Sequence, residues 1–223
     1  MAVAWQTSLF GTSEPAVDGT FPGIRRIELD DTAWVDHLPG WLAGADVVMD
    51  SLVRTAPWRS SSRPMYDRIV EVPRLTAWYG WDADAGYGDG APPIIDDMRA
   101  ALSRRYRVEF TSCGCNLYRD GRDSVAWHGD RIREEVDDPR VAIVSVGQPR
   151  KLLMRPITGG PSRAFRLGQG DLFVMGGSSQ RTWQHSVPKV AAAGPRMSIT
   201  FRHGMLPPAD LTTAAARTAG TRP

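Results

Sequence analysis

Residues 108–118 read VEFTSCGCNLY, and from there the chain continues in short apolar runs: SVAWH (124–128), VAIVSV (141–146), KLLMR (151–155), AFRL (164–167), DLFVM (171–175) and SITFR (198–202). β-branched and aromatic residues fill these runs, and turn-forming pairs such as Asp120-Gly121, Gly159-Gly160 and Gly170-Asp171 separate them. About seven or eight short strands at this spacing predict a sandwich or jelly roll. Upstream the period changes. Ala45 to Thr55 has apolar positions at Val48 and Leu52 with Pro57 just beyond, which predicts a short amphipathic helix and its stop. Pro92 and Pro93 precede Ile94, Met98 and Leu102, so a second helix runs to about Arg105. The expected class is mainly β with flanking helices that brace one sheet.

At 223 residues the chain is long enough for one domain with a substantial core. Its 42% hydrophobic and 23% charged residues are those of a soluble globular protein, and no apolar run approaches the length that spans a bilayer. The opening MAVAWQTSLFGT has neither a basic nor a continuous apolar region of the kind a secretory signal needs, so the cytoplasm is the expected compartment. Residues 1 to about 30 read as an irregular arm laid over the domain, and Met205 to Pro223 as a frayed tail. No internal repeat at a solenoid or propeller period is present. The net charge is only +2, but lysine occurs only at Lys151 and Lys189, and arginine supplies the other cations. Arginine suits planar, bidentate contacts with phosphate and carboxylate, although a bias of composition gives the same result. Cys113 and Cys115 stand two apart on one strand face, where a mutual disulfide would be strained; free thiols are expected.

Four histidines exist: His37, His128, His185 and His203. His128 and Asp130 form an H-x-D pair whose two-residue spacing places both side chains on one face, and His185 follows just after the strand region around Thr182. Two neutral imidazoles and one carboxylate make a three-ligand face on divalent iron, leaving the opposite positions open to a chelating cosubstrate and dioxygen. Alone, H-x-D is a weak motif, equally that of a histidine with an ordinary carboxylate neighbour. Further residues sharpen it. In RMSITFR, Arg196 and Arg202 share a strand face with Ser198 and Thr200 between them. Their Cα atoms would lie about 20 Å apart, and two arginine arms bending inward leave a gap suited to a short dicarboxylate. Asn116 and Tyr118, in NLY, share another face and can add neutral donors to the same carboxylates.

With these residues in place, NLYRDGRDSVAWHGD followed by VAIVSVG, GDLFVMGG, QHSVPK and PRMSITFR resembles the AlkB family of Fe(II)/2-oxoglutarate-dependent dioxygenases. Upstream, VPRLTAWYG is similar to the segment that eukaryotic AlkB homologues place before their nucleotide-recognition lid. The resemblance spans roughly Arg63 to His203. It implies a double-stranded β-helix with an N-terminal nucleotide-recognition lid, in one domain over 1–205: extension and lid to about 107, jelly-roll core from about 108 to 204, and a flexible tail over 206–223. It implies His128, Asp130 and His185 as catalytic iron ligands. Arg196, helped by Tyr118, would grip the distal carboxylate of 2-oxoglutarate, and Arg202 and Asn116 would lie near the carboxylate that chelates iron. Ser198 stands where the family usually has asparagine, so one cosubstrate hydrogen bond is shortened or replaced by water. Arg131 and Ile132 stand where many members carry acids, with Glu134 and Glu135 a little later.

The implied activity is oxidative dealkylation of N-alkylated bases, of the 1-methyladenine and 3-methylcytosine type, with Fe(II), dioxygen and 2-oxoglutarate, releasing an aldehyde, succinate and carbon dioxide. The implied partner is alkylated DNA, single-stranded or with the base flipped out, or RNA; the protein is expected to act as a monomer and without a membrane. Trp78, Tyr79, Trp81 and Tyr87, in TAWYGWDADAGYG, are the aromatic planes expected to stack on the base, and the interleaved glycines suit a mobile loop. Trp127 and Trp183 flank ligand positions and read as packing residues. Three alternatives share parts of this pattern: a 2-oxoglutarate enzyme acting on RNA or a small molecule, a non-catalytic nucleic-acid-binding jelly roll, and a cupin-like protein with a structural metal.

Overall fold

A computed structural model of the chain describes residues 14–65, 68–81 and 90–204. In chain order its elements are β1 (Ala16–Val17), β2 (Arg25–Glu28), β3 (Ala33–Leu38), β4 (Leu42–Ala43), α1 (Ala45–Thr55), β5 (Ser62–Met65), β6 (Arg68–Glu71), β7 (Leu75–Gly80), α2 (Pro93–Tyr106), β8 (Ser112–Tyr118), β9 (Val125–His128), β10 (Val141–Gly147), β11 (Arg150–Pro156), β12 (Arg163–Leu167), β13 (Asp171–Gly177), α3 (Ser179–Thr182), β14 (Trp183–Val187) and β15 (Arg196–Arg202). A seven-stranded sheet runs β2-β3-β13-β10-β15-β8-β7, and a four-stranded sheet runs β12-β11-β14-β9. Every pairing in both is antiparallel. This is the jelly roll expected, with α1 and α2 covering the outer face of the larger sheet.

Two cores result, and strand parity separates them. Ala142, Val144 and Val146 of β10 join Leu172 and Val174 of β13 and Met197, Ile199 and Phe201 of β15 in the cluster that meets Val48, Met49 and Leu52 of α1 and Ile95, Met98 and Leu102 of α2. The alternate positions Val141 and Ile143, with Phe173 and Met175, face Leu152, Met154 and Leu167 of the smaller sheet. β10 is therefore buried along its whole length, which is why its sequence is apolar at every position but Ser145 and Gly147 and does not alternate.

The stretch before residue 108 contributes more strand than its sequence suggests. The expected irregular arm contains β2 as an edge strand, and β3 behind it is buried at four of its six positions. β3 carries Asp36 in that buried run, where the Arg26 guanidinium makes two hydrogen bonds to its carboxylate (2.8 and 2.9 Å) and the Tyr106 hydroxyl donates a third at 3.1 Å. A carboxylate satisfied in this way can sit inside a strand, but it hides the strand from a reading of hydrophobic period. β7 joins the opposite edge of the same sheet. Tyr87, the glycines around it and the tail from Met205 lie outside the described residues. No helix of the described residues is long and apolar enough to cross a membrane.

Arg150 ties the connection that leads into β9. The residue is 4% exposed, and its guanidinium donates to the carbonyls of Asp120 (3.0 Å), Asp123 (3.0 Å) and Pro188 (2.7 Å). Arg150→Met keeps most of the packing volume but leaves three carbonyls without their charged donor. Unfolding free energy measured in urea should fall by about 3 kcal/mol; a loss below about 1 kcal/mol would mean that water replaces the guanidinium freely.

Candidate active site

Between the two sheets lies a cavity of about 620 Å³, and both strands of the H-x-D and histidine pair open onto it. His128, the last residue of β9, is the direct register partner of His185 in the middle of β14, and their ring centroids are 4.2 Å apart. His185 thus sits within a strand, one step further into the sheet than a position just past Thr182 would imply. Trp183 and Val187, its same-face neighbours, anchor β14 in the inter-sheet core. Trp183 also donates to Asp30 at 2.6 Å, and Trp127 packs under the Arg155 guanidinium at 4.3 Å, so both tryptophans are packing residues as read.

The electrostatics around the pair suit a divalent cation. His128 Nδ1 lies 2.9 Å from the Ala126 carbonyl. A carbonyl only accepts, so Nδ1 carries the proton and Nε2 presents its lone pair. Burial pushes the His185 pKa down to about 3, with the His128 ring adding to the effect, and burial also lowers His128. Both imidazoles are therefore neutral donors at physiological pH. Asp130 is the opposite case. Burial by itself would raise its pKa, but the charge of Arg202 and the two imidazoles outweigh that and hold it at about 2. Arg202 Nε donates to one carboxylate oxygen at 2.9 Å, and the Asp130 amide donates to Gln180 Oε1 at 3.1 Å.

The second oxygen, Oδ2, is buried without a partner. As the side chains stand, no group of three His, Cys, Asp or Glu among the described residues forms a closed ligand cluster; Asp130 leans to Arg202 by one oxygen and presents the other. Two neutral nitrogens and one unpartnered carboxylate oxygen on a shared cavity are the donor set that Fe(II) requires.

The residues expected to bind the cosubstrate converge by register. In the β15·β8 pair, Arg196 faces Tyr118, Ser198 faces Asn116, and Arg202 faces Ser112. Arg196, Ser198, Thr200 and Arg202 all line the cavity with Asn116 and Tyr118. Arg196 is 2% exposed, its Nε donates to Ser145 Oγ at 3.1 Å, and its guanidinium lies 5.2 Å from the Tyr118 ring centroid. Burial lowers its pKa to about 10, so it keeps its charge at neutral pH. Asn116 Nδ2 donates to Ser198 Oγ at 3.4 Å, and Asn116 Oδ1 accepts from Arg74 Nε at 3.0 Å. Ser145, Gln180 and Arg74 were not singled out in the sequence. Ser145 left one signal, a lone polar residue inside VAIVSV; Gln180 and Arg74 left none.

The four aromatic residues expected to stack on a base divide sharply. Trp78 lines the cavity, with the Arg202 guanidinium 5.0 Å over its ring. Tyr79 and Trp81 do not. They alternate with Trp78 along β7 and its end, so they face the helices. Tyr79 is 4% exposed in the outer core, and burial raises its hydroxyl pKa. Trp81 stacks on Phe201 (6.5 Å between centroids), donates to Asp96 at 2.7 Å and lies under Arg99. Both are packing residues, which corrects the expectation. The two-residue period of LTAWYG, a strand and not a loop, separates them from Trp78.

The fold and this cavity define a class, and comparison with known proteins agrees. The family model of the 2OG-Fe(II) oxygenase superfamily matches residues 39–202, and the cofactors of that class are Fe(II) and 2-oxoglutarate. The chain is 32% identical over 201 residues to alpha-ketoglutarate-dependent dioxygenase alkB homolog 3 of Mus musculus, a match covering 81% of this chain and 70% of that protein. It is 29% identical over 188 residues to DNA oxidative demethylase ALKBH2 of Arabidopsis thaliana, covering 69% and 60%. The solved structure of OsALKBH1 superposes with a TM-score of 0.55 at 16% identity, over 80% of this chain and 100% of that one. The chain belongs to the AlkB family of Fe(II)/2-oxoglutarate-dependent dioxygenases.

Gly114 sets how Trp78 and Arg202 meet. A Cβ there would lie 2.8 Å from Arg202 Nη1 and 2.9 Å from Trp78 Cζ3. Gly114→Ala should therefore push Trp78 off Arg202 and loosen the Arg202–Asp130 pair. The expected result is a loss of about 1–3 kcal/mol in urea unfolding together with weaker Fe(II) binding in a metal titration; unchanged values of both would show that Trp78 has room to move.

Proposed function

We propose that this enzyme removes alkyl groups from ring nitrogens on the Watson–Crick edge of nucleic-acid bases, lesions of the 1-methyladenine and 3-methylcytosine type. The observation that carries the reading is the His128–His185 register pair beside an unpartnered oxygen of Asp130, on the same cavity as the buried Arg196. The relatives named as alkB homolog 3 and as DNA oxidative demethylase support a nucleic-acid substrate and a place in repair of alkylation damage.

His128 Nε2, His185 and Asp130 Oδ2 would hold the metal. When bound, Fe(II) with 2-oxoglutarate supplies the oxidising chemistry: one oxygen atom of O2 goes to the cosubstrate, which becomes succinate and carbon dioxide, and the other hydroxylates the N-alkyl carbon. The hydroxylated carbon leaves as an aldehyde and the base regains its ring nitrogen. Arg202 keeps Asp130 ionised and aimed. Arg196, steadied by Ser145 and Tyr118, grips the distal carboxylate of 2-oxoglutarate, while Asn116 and Ser198 lie along its length. Trp78 offers one stacking plane for a base that has left its helix, a contact worth about 1–3 kcal/mol.

Succinate formation with Fe(II) and 2-oxoglutarate, compared across methylated DNA, methylated RNA and no nucleic acid, tests the reading directly. Methylated nucleic acid should raise it well above the background, and equal formation in all three overturns the assignment. His128→Ala should abolish aldehyde release while near-native unfolding behaviour persists. Arg196→Ala should raise the KM for 2-oxoglutarate about 100-fold, the effect of removing one partner of a buried charge pair; a normal dependence on the cosubstrate would remove Arg196 from its role.

A further inference from the structure

Sheet register fixes two of the three residues that would hold the metal and leaves the third to other means. His128 closes β9 and pairs with His185 inside β14, but Asp130 lies past the end of β9, outside every strand. Its backbone amide has no place in a ladder, and the acceptor it meets is a side chain, Gln180 Oε1, at 3.1 Å.

Gln180 stands on α3, the single turn between β13 and β14, and is 6% exposed. Both ends of its amide are engaged. The Asp130 N–H needs an acceptor, so the oxygen faces it, and Nε2 donates to Met175 Sδ at 3.4 Å in the inter-sheet core. Turning the amide over would set two donors against each other. The chain just before Asp130 lies against the same turn: a Cβ on Gly129 would come within 3.1 Å of the Gln180 carbonyl oxygen. Gly129 and Asp130 are thus docked on the element that leads directly into the strand of His185. Arg181, next along α3, holds the same connection further on, where its Nη2 donates to the carbonyls of Arg133, Glu134 and Val136. None of those three bonds involves a residue that would hold the metal.

We propose, on the basis of the ligand assignment above, that Gln180 is a positioning residue. Its bond to the Asp130 amide presets where the carboxylate stands relative to His185, and so sets the affinity of the site for Fe(II). Arg202 aims the carboxylate from its outer end, at 2.9 Å, while Gln180 holds the backbone from which it hangs. Neither contact replaces the other, because a carboxylate on an untethered backbone can follow the guanidinium away from the histidines.

The test titrates Fe(II) alone, without oxygen or 2-oxoglutarate, into the wild-type chain, Gln180→Met, Gln180→Glu, Arg181→Met and His128→Ala. Co(II) is titrated in parallel, and its visible absorption reports the coordination geometry. Gln180→Met keeps the length and removes the acceptor; its Kd for Fe(II) should rise about 10–100-fold, and its Co(II) spectrum should change. Gln180→Glu keeps an oxygen at that position and should restore most of the affinity. Arg181→Met gives up its bonds to the connection and should leave both readouts at their wild-type values. If Gln180→Met does not fold, Gln180→Asn, whose oxygen is drawn back by a methylene, takes its place.

An unchanged Kd in the Gln180 variant overturns the proposal. So does an equal loss in Arg181→Met, because general anchoring of the connection would then set the site, and so does a Gln180→Glu as weak as Gln180→Met. Fe(II) binding by His128→Ala at wild-type strength defeats the ligand assignment, and this inference with it. Loss of binding in His128→Ala with none in the Gln180 variant defeats this inference alone.

Discussion

The register between β15 and β8 is the constraint on which the rest of the molecule depends. Along both strands one face is apolar and meets the helices, through Met197, Ile199 and Phe201 on β15 and Cys113, Cys115 and Leu117 on β8. The other face carries Arg196, Ser198, Thr200 and Arg202 opposite Tyr118, Asn116, Gly114 and Ser112. A slip of one residue would exchange the faces, driving two guanidiniums into an aliphatic core and three large apolar side chains into the cavity. Burying an unpaired charge among hydrocarbons costs several kcal/mol, so the two faces lock the register jointly. The same locking fixes which side chains of β8 stand opposite Arg196 and Arg202, and so holds both guanidiniums on the cavity wall. Core packing and the polar wall of the cavity are thus one property of one strand pair.

Within that frame the Arg202–Asp130 pair serves orientation more than stability. A buried ion pair recovers little net free energy after desolvation. Its consequence lies elsewhere: the guanidinium overrides the effect of burial and keeps Asp130 ionised, with one oxygen engaged and the other unpartnered. An orphaned buried carboxylate oxygen destabilises the fold until something positive reaches it. Binding of a cation there stabilises the native state by linkage, so folding and metal loading favour each other. The Gln180 and Ala126 contacts act in the same direction, since each fixes a donor before any ligand arrives.

Much of this was legible in the sequence, and the failures have a common physical origin. The helices Ala45–Thr55 and Pro93–Tyr106 follow from apolar spacing and proline punctuation. The strands from Ser112 onward follow from β-rich runs between turn pairs, and His128, Asp130, Asn116, Tyr118, Arg196, Ser198 and Arg202 follow from spacing by two. What escaped was decided by partners distant in the chain. β3 is hidden because Asp36 is satisfied by Arg26 and Tyr106. Arg150 and Gln180 act on backbone groups of other segments, and no local pattern announces such bonds. Tyr79 and Trp81 escape for a different reason: composition marks a run dense in aromatics and glycines, whereas parity along β7 sorts it into one cavity residue and two core residues.

A division of labour follows from where each part of the site is attached. Arg196, Arg202, His128 and His185 stand on strands whose neighbours are buried on both sides or paired in register. Arg131 stands instead at the start of the exposed connection between β9 and β10, where a side chain is free of sheet register and of core packing. A substitution on β15 disturbs the helix-facing core and the cavity wall together, because the strand is buried on both faces.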